Sequence, residues 1–249
     1  MYQFFIEDEN AAEDFVTIEG SDVNHIKNVL RMRPGEKIRV CTRSGQNYFC
    51  SISDITESFV RADILEKEAE STELPCRIYL FQGLPKNDKM EWIIQKTVEL
   101  GVYEVIPVAM KNCVVKLDDK KAKSKVTRWQ AIAESAAKQS KRSLIPEVKM
   151  PMSYKEAVAY AKKLDVKLVP YENEHGMAGT KAAMEQIKKG ESIAVFIGPE
   201  GGFAPEEIAL VQDEMQLISL GKRILRTETA GIAALAILGY QLESSDMIE

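Results

Sequence analysis

Residues 191–203 read ESIAVFIGPEGGF and place a buried-strand pattern directly before a glycine-rich turn. The apolar run at residues 193–197 predicts a strand, and Gly and Pro residues then interrupt it within a short span. In open α/β sheets, small molecules bind beyond the carboxyl ends of the strands, where glycine lets the backbone approach a ligand. Pro205, followed by Glu206 and Glu207, predicts the first turn of a helix. The stretch is therefore either a ligand loop or an ordinary strand-to-helix connection, and taken alone it leaves both open.

The composition is that of a globular protein. With 249 residues and 45% hydrophobic content, the chain can bury one large core or two smaller ones. Its first residues lack the basic start and apolar core of a signal peptide, and no run reaches the roughly 18 apolar residues of a membrane span. We therefore expect a cytoplasmic protein.

Cysteine and histidine are spaced in a way that does not indicate a metal centre. No CxxC pair occurs, and the spacing of a zinc site is absent. Neither histidine lies near a nucleophile elbow, so the sequence gives little support for nucleophilic catalysis by a Ser-His or Cys-His pair. We expect reduced and mostly buried thiols. The residues concerned are Cys41, Cys50, Cys76, Cys113, His25 and His175.

Two basic segments stand out against a net charge of −5. The overall charge argues against indiscriminate coating of nucleic acid, but local patches matter more for a docked partner. Each patch is either a solvated face or a set of phosphate contacts. The first contains Lys27, Arg31, Arg33, Lys37, Arg39 and Arg43, and the second contains Lys111, Lys116, Lys120, Lys121, Lys123, Lys125 and Arg128.

The first 70 residues predict a small β-barrel. Five short strand patterns alternate with turns, and a closed sheet hides their edges. One helix is expected over residues 22–31, with Ser21 or Asp22 as its N-cap. The polar stretch at residues 68–75 ends in proline and suits a linker.

From Cys76 onward, strands alternate with amphipathic helices, which predicts a parallel sheet. Gly101 is expected to end the first helix, and Ser153 with Glu156 forms a capping box. After the strand QLISLG, the segment KRILRTETA repeats the strand, glycine and helix order of the opening stretch. The helix that follows, AGIAALAILGYQL, is apolar on nearly every face, so it is either deeply buried in a monomer or shared with a second subunit.

Several segments, taken in order, resemble one family. They are HIKNVLRMRPGE, LPKNDKMEWIIQKTVELGV, RWQAIAESAAKQSKR, IGPEGGFAPEE and LGKRILRTETA. The chain resembles the RsmE group of 16S rRNA (uracil(1498)-N3)-methyltransferases, of the SPOUT class. The resemblance implies a PUA-like RNA-binding β-barrel over residues 1–70. It also implies an α/β methyltransferase domain over residues 75–249, with a parallel sheet and a C-terminal trefoil knot. The knot follows from the resemblance alone, since threaded chains are rare.

The resemblance implies transfer of a methyl group from S-adenosylmethionine to N3 of a uridine in 16S rRNA. Backbone amides of two glycine-containing loops would bind much of the cofactor. The implied cofactor residues are Ile197, Gly198, Pro199, Glu200, Gly201, Gly202, Leu220, Gly221, Ile224, Leu225 and Thr227.

Two charged residues are the catalytic candidates that the resemblance suggests. Arg226 would stabilise the uracil anion that forms as N3 loses its proton. Its alternative is a structural salt bridge to Glu228 or Glu200. Glu200 would face the sulfonium or a ribose hydroxyl, or it is a carboxylate placed at a helix N-terminus.

The resemblance also turns part of the basic surface into predicted RNA contacts, because the barrel carries RNA in this family. One departure stands at the start of the chain, where Tyr2-Gln3-Phe4-Phe5 replaces the usual R-x-F pattern. The predicted RNA-binding residues are Lys27, Arg31, Arg33, Arg39 and Arg142.

Two rival functions are weaker. A non-catalytic RNA-binding factor for ribosome assembly on the same fold is the first alternative. A nicotinamide-dependent oxidoreductase is disfavoured, because no GxGxxG follows an early strand with an acidic residue about 20 positions later.

Overall fold

The structure is a computed structural model that describes residues 1–68, 71–174 and 176–246. The predicted linker is therefore described only in part, and His175 lies outside the described residues. Contacts group the chain into two compact units, Met1–Glu73 with Ala137–Ile145, and Leu74–Ala136 with Pro146–Glu249. The predicted domain boundaries stay predictions. Within the described ranges, no helix is long and apolar enough to cross a membrane.

The first unit contains a five-stranded sheet, which confirms the predicted β-rich start. Its spatial order is β1-β3-β4-β5-β2, and the edge strands β1 and β2 come into contact, so the sheet curls. Only the β1–β3 pair is parallel among the pairs in this sheet. The strands are β1 (Tyr2–Ile6), β2 (Phe15–Glu19), β3 (Lys37–Thr42), β4 (Asn47–Ile55) and β5 (Phe59–Glu68).

The core of this unit lies inside the curl of the sheet. Alternate apolar residues along each strand point inward, as expected for strands with one buried face. The helix over residues 21–29 adds Val23 and Ile26 to the same cluster. Fully buried members include Phe4, Ile18, Ile26, Ile38 and Ile52.

The predicted helix is present, but its predicted N-cap is wrong. Helix α1 (Ser21–Asn24) continues into a π-helical turn, His25–Val29. Gly20 is the N-cap residue, and its φ of 69° is a conformation that glycine adopts at low cost. No side chain caps the helix, because the carboxylate of Asp22 pairs instead with Lys138, 2.9 Å away.

By contacts, residues 137–145 group with the first unit, although they are distant from its strands in sequence. The Gln3 amide donates to the Arg142 carbonyl at 2.6 Å, and the Asn47 amide donates to the Ser143 hydroxyl at 2.8 Å. The Arg142 guanidinium also pairs with the Glu73 carboxylate. These bonds attach the segment to the sheet.

The second unit contains the predicted parallel sheet. All of its strand pairs are parallel, in the order β12-β10-β11-β6-β7-β8, and β9 also pairs with β7. The strands are β6 (Arg77–Gly83), β7 (Val102–Ala109), β8 (Glu147–Val148), β9 (Met152–Ser153), β10 (Val166–Pro170), β11 (Ser192–Ile197) and β12 (Gln216–Ile218).

Within the described residues, six helices accompany this sheet. The predicted helix end at Gly101, with φ 91°, and the Ser153–Glu156 capping box are both confirmed. One short helix ends at Ala209, and the chain beyond it forms turns that bury Val211 and Met215. The helices are α2 (Lys89–Glu99), α3 (Asp119–Ser140), α4 (Tyr154–Ala161), α5 (Ala178–Glu185), α6 (Pro205–Ala209) and α7 (Thr227–Asp246).

Aromatic side chains fill the core on one face of this sheet. Phe81 of β6 and Phe196 of β11 stack with ring centroids 4.4 Å apart, and Tyr154 of α4 meets Phe196 edge-on. This packing fixes the central strands whose carboxyl ends carry the candidate site. The trefoil knot stays a prediction.

Candidate active site

Two loops lie beyond the carboxyl ends of the parallel strands. The first loop, residues 198–204, follows β11 at the centre of the sheet, and the second loop, residues 219–226, follows β12. Parallel sheets bind ligands at this edge because strand ends and helix N-termini converge there. The geometry therefore favours a ligand loop over an ordinary connection.

The first loop depends on glycine for its close packing. A Cβ on Gly83, at the end of β6, would lie 2.7 Å from the backbone nitrogen of Pro199, so the two backbones touch. Gly202 has φ 65° and donates its N–H to the Pro199 carbonyl at 2.9 Å, which closes the turn. Larger residues at either glycine would displace the loop.

A chain of hydrogen bonds joins the first loop to the start of α7. The Thr227 hydroxyl donates to the Gly198 carbonyl at 2.6 Å, and the Gln82 amide donates to the same hydroxyl at 2.9 Å. Thr227 and Gln82 are both buried. The two loops are thus held in a fixed relation by side chains from β6 and α7.

Asn112 and Glu207 support the first loop from its other side. The Asn112 amide donates to the carbonyls of Gly201 at 2.9 Å and Gly202 at 3.2 Å. The buried Glu207 carboxylate accepts the N–H groups of Lys111 and Ala204, each at 2.8 Å. The patterns at residues 193–203 did not indicate Gln82 or Asn112. Both residues lie at or just beyond the ends of predicted strands, and this position is the sequence signal that could have identified them.

Lys89, the first residue of α2, was also missed. Its ammonium lies 3.0 Å from Glu200 of the first loop and 3.1 Å from Glu228 in the first turn of α7. The ion pair with Glu200, and to a lesser extent the one with Glu228, raises the pKa of Lys89. In sequence, Lys89 resembles any solvated lysine at a helix start.

The carboxylate of Glu200 is held in its charged form. Desolvation acts to raise its pKa, but backbone hydrogen bonds, including the Lys86 N–H at 3.1 Å, and the Lys89 ammonium together lower that pKa. Glu200 is therefore ionised at neutral pH and is a poor proton acceptor.

Arg226, the predicted catalytic residue, is exposed in the second loop. Its alternative role was an ion pair with Glu228 or Glu200, but Lys89 occupies both carboxylates. Within the described ranges, no carboxylate pairs with the Arg226 guanidinium. The side chain is available to a substrate, and its catalytic role stays a prediction.

The predicted cofactor residues all lie on or beside the two loops. Ile197, Pro199 and Thr227 are buried, whereas Ile224 is 89% exposed. Their binding roles stay predictions. The others are Gly198, Glu200, Gly201, Gly202, Leu220, Gly221 and Leu225.

The predicted RNA-binding residues divide by exposure within the first unit. Arg31 and Arg33 are exposed, and Lys27 pairs with Glu57 at the surface. Arg39 and Arg142 are buried, and their guanidinium groups pair with Glu68 and Glu73, respectively. All five assignments stay predictions, and the exposed pair is better placed for phosphate contacts.

The class of the protein follows from two family models. Residues 72–239 match an RNA methyltransferase domain, and residues 18–65 match the PUA domain of RNA methyltransferases. The PUA match lies within the first unit, and the methyltransferase match covers most of the second unit together with residues 137–145 of the first.

Similar proteins narrow the class to one family. Ribosomal RNA small subunit methyltransferase E of Bacillus subtilis strain 168 is 39% identical over 250 residues, 98% of each chain. The protein of the same name from Mesomycoplasma hyopneumoniae strain 232 is 35% identical over 93% of this chain and 96% of its own. A crystal structure of ribosomal RNA small subunit methyltransferase E from Neisseria gonorrhoeae, bound to S-adenosyl methionine, matches with a TM-score of 0.83 and 32% identity over 96% of both chains.

The chain belongs to the ribosomal RNA small subunit methyltransferase E family. The resemblance predicted from its motifs is confirmed.

Proposed function

We propose that the protein transfers a methyl group from S-adenosylmethionine to N3 of uridine 1498 in 16S rRNA. The observation that carries the proposal is the meeting of two glycine-containing loops at the carboxyl edge of the parallel sheet, joined through Thr227 and Gly198. The crystallised relative from Neisseria gonorrhoeae, of the same family, is bound to this cofactor.

The residues of the two loops fit this cofactor chemically. Apolar side chains of Ile197, Leu220 and Leu225 suit an adenine ring, and loop backbone groups suit its polar edge. Lys89 balances only one of the two carboxylates beside it, so the cluster keeps one negative charge. That charge suits a cofactor with a positive sulfonium. When bound, the cofactor supplies an activated methyl group.

The protein must also make N3 of uracil nucleophilic. Loss of the N3 proton at neutral pH is unfavourable by a few pK units, each about 1.4 kcal/mol. One charge-assisted hydrogen bond from Arg226 to the developing anion would offset about 1.5–3 kcal/mol. Positioning of the base contributes much of the rest. Glu200 acts through its negative charge and by tying the first loop to Lys86 and Lys89, since its lowered pKa makes it a weak base.

The partner is the small ribosomal subunit or its 16S rRNA. Arg31 and Arg33 on the exposed surface of the first unit are the favoured phosphate contacts, and the PUA match supports RNA binding by this unit. We place this activity in the cytoplasm, where ribosomal RNA is assembled into subunits.

We also infer that two copies associate through α7. This helix leaves Ala236 and Tyr240 exposed one turn apart, and Tyr240 is 75% exposed. Ile224, which precedes the same helix, is exposed as well. A second copy covering this face would shield the side chains of Tyr240 and Ile224 from water.

The decisive experiment combines methyl transfer with cofactor binding. Small subunits lacking the modification are incubated with the protein and labelled S-adenosylmethionine, and the rRNA nucleosides are analysed by mass spectrometry. We expect labelled 3-methyluridine. If calorimetry detects binding of neither S-adenosylmethionine nor S-adenosylhomocysteine, the proposed function fails, and a non-catalytic RNA-binding factor becomes the better interpretation.

Substitution of the proposed catalytic arginine tests the mechanism. Arg226→Ala is expected to lower turnover by roughly 10- to 100-fold, from the loss of about 1.5–3 kcal/mol of anion stabilisation. Cofactor affinity should stay within several-fold of the wild type. Equal losses of affinity, turnover and thermal stability would assign Arg226 a structural role instead.

A further inference from the structure

Lys89 connects the two halves of the candidate site. Among the described residues, its ammonium is the one cation that pairs with a carboxylate of the first loop and with one in the first turn of α7. The partners, Glu200 and Glu228, are far apart in sequence and are brought together by the fold.

The charges in this cluster are close and partly shielded from water. Because each carboxylate oxygen is about 3 Å from the same nitrogen, the two oxygens lie within about 6 Å of each other. The side chains of Lys89, Glu200 and Glu228 are 29%, 25% and 17% exposed. Like charges at such a distance repel appreciably when screening by water is reduced. Without the ammonium, the first loop and the start of α7 would therefore repel each other.

The turn before Lys89 is shaped to hold it there. Asn87 has φ 57°, a conformation that non-glycine residues seldom adopt, although asparagine tolerates it better than most. This turn directs the Lys86 N–H onto the same Glu200 oxygen that Lys89 contacts. Two neighbouring groups of one turn therefore hold a single carboxylate of the first loop.

We propose that Lys89 is a positioning residue that sets the separation of the two cofactor loops by neutralising the repulsion between Glu200 and Glu228. This inference rests on the proposed function, because the loops are taken to enclose S-adenosylmethionine. Lys89 acts on binding through the loops and does not touch the reacting atoms.

The choice of probe separates positioning from simple attraction. Removing Lys89 makes the site more negative, which would attract the positively charged cofactor and mask a loosened pocket. S-adenosylhomocysteine lacks the sulfonium charge, so its affinity reports the geometry of the loops with little interference from the charge change. Calorimetric titration of the full-length protein with S-adenosylhomocysteine is therefore the test.

Lys89→Met is expected to weaken binding of S-adenosylhomocysteine by roughly tenfold, within the range of coupling between residues in contact. The double variant Lys89→Met/Glu228→Gln should recover most of this loss, because only one charged carboxylate remains. Lys89→Arg should bind within a few-fold of the wild type. Lys96→Met is the matched control, since Lys96 lies on the same helix, is 28% exposed and pairs with Glu99 away from both loops. It should leave binding unchanged.

The outcomes are distinguishable. If Lys89→Met binds the probe as tightly as the wild type, or if the double variant is as weak as the single one while both stay folded by circular dichroism, the positioning role is refuted. If the wild type itself binds neither the probe nor S-adenosylmethionine, the proposed function fails first.

Discussion

Glu73 and Arg142 form an ion pair within the first unit that should be essential to its stability. The Arg142 side chain is 4% exposed and that of Glu73 is 18% exposed. The Glu73 carboxylate accepts hydrogen bonds from two nitrogens of the guanidinium, of which Nε reaches both carboxylate oxygens, and another from the Ser143 N–H at 2.8 Å. The perturbation is Glu73→Gln, which keeps the size and shape of the side chain while removing its charge.

The expected cost follows from the burial of the cation. Removing one partner of a buried ion pair typically costs about 3–5 kcal/mol, because the buried charge loses part of its electrostatic compensation. The glutamine oxygen can still accept one hydrogen bond, so we expect the lower end, about 3 kcal/mol. Since about 1.4 kcal/mol corresponds to a factor of ten, opening of the first unit should become roughly 100-fold more frequent.

The assay must report on the first unit alone. Both tryptophans, Trp92 and Trp129, lie in the second unit, so their fluorescence follows a different part of the chain. Hydrogen exchange of peptides from β3 and β4, measured by mass spectrometry, reports opening of the first sheet directly. We expect faster exchange in these peptides, whereas the urea transition followed by tryptophan fluorescence should move much less.

A surface pair in the same unit provides the control. Glu57 pairs with Lys27, and the Glu57 side chain is 91% exposed, so Glu57→Gln should cost less than about 1 kcal/mol. If Glu73→Gln accelerated exchange no more than Glu57→Gln, the Arg142 pair would not stabilise the unit and the reasoning would be refuted.

Two further predictions concern association and thiol chemistry. Tyr240→Glu places a charge on the exposed face of α7 and should convert a dimer to a monomer in sedimentation velocity; a monomeric wild type, or a variant that stays dimeric, would contradict this. Burial raises the pKa of Cys41 and of Cys50 to about 12, so both thiols stay protonated at pH 8. Maleimide should label them only after denaturation, and rapid labelling of either in the folded protein would show that the first unit opens.

The strands and loops could be predicted because their signals are local. The apolar run of β11 and the glycines after it mark a strand end within a dozen residues, and the structure places the first loop there. The Ser153–Glu156 capping box is equally local and is confirmed. A pattern of this kind needs no knowledge of distant partners.

The assignment of residues 137–145 required information that no local pattern carries. Helix α3 runs to Ser140 without interruption, so periodicity gives no reason to separate its end from the rest. The decisive bond, from the Gln3 amide to the Arg142 carbonyl, joins residues 139 positions apart. The Gln3 side chain is buried and holds this segment.

The position of Lys89 shows why the sequence alone could not decide between a catalytic and a salt-bridge role for Arg226. The salt-bridge alternative, with Glu228 or Glu200 as the partner, rested on the frequent pairing of loop arginines with carboxylates. The fold instead brings a lysine from the start of α2 to the two carboxylates. An arginine that shared their charge would stabilise a uracil anion less, because part of its field would already be neutralised. Because Lys89 pairs with both carboxylates, the Arg226 guanidinium remains available to the substrate. The positive charge that holds the loops is therefore on Lys89, and the positive charge proposed for catalysis is on Arg226.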